Sequence, residues 1–125
     1  MKFSNITTTE DTKNILYRLG GEQSADLFPN ILARFAICLS LNDKSKPIPK
    51  DAEKDGKMFE PDILFGEHIQ IYLGLMKNRM KKDAEDENKL NEITRHHLER
   101  GVLLLKARVA NMGDFYKLVR ESRDV

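Results

Sequence analysis

From Leu27 to Leu41 the chain is apolar on almost every helical face, with Pro29 near the start and Arg34 as the only full charge. Such a helix has no place on the surface of a small monomer: other helices of the chain cover it, or a second copy of the protein does. Before it, Lys2 to Thr8 alternates loosely and predicts a short extended segment. Thr8 or Thr9 then caps a helix with Glu10 and Asp11 in its first turn, Ile15, Leu16 and Leu19 as its stripe, and Gly20-Gly21 as its stop. After Asn42-Asp43 the stretch from Lys44 to Pro61 changes character: it is rich in lysine and proline and poor in apolar residues, which predicts an exposed excursion.

Helical periodicity returns at Leu64. Phe65, Ile69, Tyr72, Leu73, Met76 and Met80 share one face, and Leu64, Ile71 and Leu75 widen it, which predicts contact with two neighbours. The acidic run Glu85-Asp86-Glu87 suits the start of another helix, with Leu90, Ile93, His97, Leu98, Val102 and Leu105 along it. Gly101 inside that helix predicts close approach of a second backbone. Asp114 caps a last helix with Phe115, Leu118 and Val119 inward. The expected fold is all-α: one domain over residues 1–125, a compact, oligomeric bundle of about five helices with a ribbon-helix-helix-like start and an exposed loop over 44–61.

Charge adds one constraint. The 21 basic and 20 acidic residues nearly cancel, so binding to a polyanion has to come from local arrangement of lysines, not from bulk charge. The single cysteine, Cys38, lies in the apolar helix; it excludes an intrachain disulfide, fits a reducing compartment and reads as packing. No apolar run reaches the roughly 20 residues that span a bilayer, and the amino terminus lacks a signal-peptide pattern. A soluble, cytoplasmic protein without membrane contact is expected.

Catalytic motifs are missing: no glycine-rich phosphate loop, no nucleophile elbow, no cysteine pairs at zinc spacing. His96-His97 point about 100° apart on a helix and have Arg95 and Arg100 beside them, so the expectation is one half-buried and one solvated histidine, not a metal site. No enzyme activity, metal or cofactor is predicted. Arg34 needs a carboxylate or several carbonyls, and Glu67 in the next apolar helix is the candidate for a structural ion pair. The lysines of the excursion are the best sequence-level candidates for touching phosphate.

Three blocks resemble the DndE proteins of DNA phosphorothioation: Ile31 to Leu41 with its Arg34-Phe35-Ala36-Ile37-Cys38-Leu39-Ser40-Leu41 run, Phe65-Gly66-Glu67 continuing to Lys77-Asn78-Arg79, and His97-Leu98-Glu99-Arg100-Gly101. The resemblance implies a small helical component of the bacterial machinery that replaces a non-bridging phosphate oxygen of DNA with sulfur. It further implies a homotetramer that prefers nicked double-stranded DNA, contacts it through surface lysines, has no catalytic residues of its own, and acts beside a sulfur-transfer component and an ATPase. Lys13, Arg18, Lys44, Lys46 and Lys50 are the candidate DNA contacts, chosen on exposure and charge, and Ile37, Leu41, Ile71 and Leu75 the candidate oligomer contacts. Two other readings are a ribbon-helix-helix-like regulator binding DNA through Phe3 to Thr8, and an assembly adaptor that binds no DNA.

Overall fold

The structure, a computed structural model, describes residues 2–20, 28–49, 52–81, 85–108 and 120. Its elements run β1 (Ile6–Thr7), α1 (Glu10–Gly20), α2 (Phe28–Asn42), β2 (Met58–Phe59), α3 (Pro61–Phe65), a single 3-10 turn (Gly66–His68), α4 (Ile69–Met80) and α5 (Glu87–Arg108). The mainly α architecture agrees with the expected class. The last helix expected from Asp114 onward lies outside the described residues.

The centre is the packing of α5 along α2, the most extensive contact between any two elements. Leu32, Ala33, Ala36 and Ile37 of α2 meet a core that includes Leu98, Val102 and Leu105 of α5. Gly101 is what allows the two helices to close: a Cβ there would lie 1.8 Å from the Ala36 carbonyl oxygen. Thr9 caps α1, its Oγ1 accepting from the Thr12 backbone N–H at 3.3 Å, and Asp86 caps α5, accepting from the N–H groups of Asn88 and Lys89 at 3.0 and 3.2 Å.

The extended segment does form a strand, but its partner lies within the chain: Ile6 and Thr7 pair antiparallel with Phe59 and Met58. A ribbon-helix-helix unit shares its ribbon between two copies; here the described ribbon closes inside one. The same pairing corrects the expectation of an exposed loop as far as Pro61. Residues 52–55 are exposed, yet Phe59 is buried, and Gly56 lies where a Cβ would come 2.2 Å from the Thr9 carbonyl oxygen. The excursion is thus tied back at its end.

The helix expected to start at Leu64 begins at Pro61 and breaks at Gly66, whose φ of 56° belongs to the left-handed region. The Arg34 guanidinium fills the space beside it, 3.1 Å from where a Cβ would stand. Arg34 donates from Nε to the Leu64 carbonyl and from Nη2 to the Ile63 carbonyl at 3.0 Å. The expected Arg34–Glu67 pair is therefore replaced: carbonyls at the end of α3 serve Arg34, while Glu67 is 88% exposed, 3.7 Å from the His68 ring.

Ile37 is fully buried inside the chain and so is not a free oligomer contact. Leu41 is half-buried, whereas Ile71 and Leu75, one turn apart on α4, are 62% and 44% exposed. Cys38, expected in the packing, is exposed, its Sγ 3.5 Å from the Tyr72 hydroxyl.

Candidate nucleic-acid interface

The last turn of α2 leaves carbonyls with no partner inside the helix, at the negative end of its dipole. Two arginines from different helices meet them. Arg79, in the last turn of α4, donates to the Leu41 carbonyl and, at 3.0 and 2.9 Å, to that of Asp43. Arg100 of α5 donates from Nη2 to the Ser40 carbonyl at 2.7 Å and from Nη1 to Ser45 Oγ at 3.0 Å. Its Nη1 also lies 3.7 Å from the Asp43 carboxylate.

Asp43 accepts from the backbone and hydroxyl of Ser45, at 2.9 and 2.8 Å. Those Ser45 hydrogen bonds, followed by the Arg100 and Arg79 charges, hold its carboxyl below the usual carboxylate range. The start of the excursion is therefore clamped to α2 rather than left as a free tether.

Beneath this clamp lies a buried polar relay. Arg100 Nε donates to Ser40 Oγ at 2.8 Å, and the same hydroxyl shares a hydrogen with His97 Nδ1, also at 2.8 Å. His97 is thereby held at its Nδ1 edge. Burial first, then the positive charges of Arg100 and Arg79, push its pKa down to about 4, so the ring is neutral. His96 is pushed down as well, by burial and by Arg95. Both rings are buried, at 8% and 1% exposure, which corrects the expectation that one is solvated.

Between the clamped loop, the end of α4 and the middle of α5 a cavity of about 740 Å³ opens. Lys44 and Lys46 stand at it with Arg79 and Lys81; Pro47, Pro49, Met80 and Ile93 supply apolar walls, and His96 and His97 complete it. No carboxylate lines it among the described residues. Lys44, Lys46 and Lys81 are exposed, and none has a side-chain hydrogen bond or ion pair among the described residues.

Of the five candidate DNA contacts, then, the structure brings Lys44 and Lys46 together. Lys13 and Arg18 are on α1, away from the cavity lining, with Lys13 3.8 Å from Glu10. Lys50 lies outside the described residues. Sequence reasoning missed the clamp of Arg79 and Arg100 and the addition of Lys81. The available signal was an arginine in a helix's last turn and another three residues beyond a core histidine, which becomes a site only once three helices meet. No group of three or more His, Cys, Asp or Glu side chains among the described residues could hold a metal ion, and no described helix is long and apolar enough to cross a membrane.

Comparison with known proteins gives a consistent result. The family described as DNA sulphur modification protein DndE matches residues 5–111. Among solved structures, DndE from Escherichia coli B7A, described as involved in DNA phosphorothioation modification, superposes with a TM-score of 0.69 at 22% identity, over 84% of this chain and 98% of that one. A DndE mutant involved in DNA phosphorothioation superposes with a TM-score of 0.67 at 21% identity, over 84% and 99%. At these identities the likeness is one of fold. No curated protein matches.

Proposed function

The chain belongs to the DndE family of DNA sulphur modification proteins, and from that premise we propose that it serves DNA phosphorothioation as a non-catalytic, DNA-binding component. In this reading it grips nicked double-stranded DNA through surface lysines of a homotetramer, in the cytoplasm, alongside a sulfur-transfer component and an ATPase. The observation that carries the reading is the placing of Lys44, Lys46 and Lys81 at one opening with no carboxylate in the described lining. A near-neutral chain thereby acquires a one-signed patch, which is what phosphate contact requires.

Oligomerisation would multiply that patch. The exposed Ile71 and Leu75, with Ile63 54% exposed on the neighbouring α3, offer an apolar surface for a second copy. Four copies of such a patch bind one duplex with an avidity that a single patch lacks. The direct test pairs solution mass with competition between nicked and intact duplexes of one sequence. A tetramer that prefers the nicked duplex supports the reading; a protein that binds neither duplex overturns it.

A further inference from the structure

The cavity beside the lysines is larger and more apolar than phosphate contact alone requires. Its volume of about 740 Å³ falls among those of small-molecule sites, roughly 300–1,000 Å³. Among the described residues its charged lining consists of hydrogen-bond donors, Lys44, Lys46, Lys81 and Arg79, with no carboxylate to compete with an anion. Its depth is of another kind. Met80 is a thioether, which makes favourable contacts with aromatic rings, and the otherwise buried imidazoles of His96 and His97 reach the lining, where a base can meet their edges. Pro47 and Ile93 add flat and branched apolar surface. The Arg100–Ser40–His97 relay then fixes the orientation of the His97 ring: Ser40 occupies Nδ1, which leaves Nε2 at the ring edge away from Ser40.

Anion-binding donors at the mouth, ring-binding surface behind them and one oriented imidazole form a combination that neither inorganic phosphate nor an apolar ligand would use in full. We infer that this cavity is a binding site for a nucleoside monophosphate unit, its phosphate on Lys44, Lys46 and Lys81 and its base against Met80 and the histidine rings. The unit comes either from a free nucleotide or from a phosphorylated strand end. The site does not require that the protein bind duplex DNA, so the inference stands or falls separately from the proposed function.

The test is a titration of the full chain, followed by NMR at the Met80 methyl and the Ile93 δ-methyl, with deoxyadenosine monophosphate, deoxyadenosine and inorganic phosphate as separate probes. The expected result is saturable shifts of both methyls with the nucleotide, at an affinity at least about tenfold above that of either fragment. Lys44→Glu/Lys46→Glu, at exposed positions that the fold does not use, should weaken the nucleotide about tenfold and leave deoxyadenosine unchanged. His97→Phe should weaken both nucleotide and nucleoside; if it fails to fold, His97→Gln, whose amide carries both a donor and an acceptor, should keep them. A nicked duplex with a 5′-phosphate, compared with one bearing a 5′-hydroxyl, separates the two sources: shifts with the phosphorylated nick assign the strand end, and shifts with the free nucleotide alone assign a small-molecule ligand. Absence of saturable shifts with nucleotide and nick alike, or equal affinity for phosphate and nucleotide, overturns the inference, even if duplex binding is intact.

Discussion

His97 and Arg34 show how single side chains tie this fold together through what they bond to. The imidazole of His97 is neutral in the folded chain, with its pKa pushed down to about 4 from an ordinary 6.5. The unfolded chain takes up a proton in that interval which the folded chain refuses. The contribution is therefore complete above pH 6.5 and declines as pH falls towards 4, by about 2 kcal/mol between pH 7 and pH 5. Urea denaturation at the two pH values should show this loss in the wild type and a flatter dependence in His97→Gln; parallel dependences would refute the assignment. Arg34 works differently, as a donor to the end of α3. Replacing it with Met leaves the Ile63 and Leu64 carbonyls without their donor, and the expected destabilisation is about 2 kcal/mol, read as a lower urea midpoint. An unchanged midpoint would mean that water satisfies those carbonyls equally well.

Among the elements, the contact of α5 with α2 is the most exposed to a single change. Gly101→Ala drives a Cβ into the Ala36 backbone, so the helices must separate; a loss of about 3 kcal/mol is expected in thermal or chemical unfolding. A variant of wild-type stability would show that the helices are not held this closely. This packing was legible in the sequence, because a glycine within a helical stripe points to close approach of a second backbone, and so were the acidic start of α5 and the stripe of α1. Other features were not legible, for physical reasons. Two-residue strands carry too little periodicity to reveal that Thr7 pairs with Met58. Arg34 needs acceptors, and a sequence suggests carboxylates such as Glu67 more readily than carbonyls freed at a helix end. The break at Gly66 interrupts a stripe that sequence periodicity reads as continuous. Ile37 and Ile71 look alike in the sequence, yet one is fully buried and the other 62% exposed, since burial depends on which neighbours arrive. If the chain oligomerises through this surface, Ile71→Glu/Leu75→Glu should lower the solution mass without altering the helical content of the subunit; an unchanged mass would rule out this surface as the proposed contact.

In the molecule as a whole, a balanced total charge coexists with a local concentration of positive charge. The candidate site was only partly readable: Lys44 and Lys46 stand out in the sequence, but Lys81 is remote from them along the chain and joins them only through the fold. The clamp of Arg79 and Arg100 matters here because its donors are committed to α2 and the loop that follows it, which leaves the lysines as the cations open to phosphate. Each phosphate contact that a lysine makes contributes about −0.9 to the slope of log K against log salt concentration. The most direct test of DNA binding through this patch is fluorescence anisotropy on a nicked duplex across a salt series, comparing the wild type with Lys44→Glu/Lys46→Glu. The predicted result is affinity lowered at least about tenfold, with the salt slope reduced in magnitude by about 2 per subunit in contact with DNA. An unchanged affinity and an unchanged slope would contradict the account.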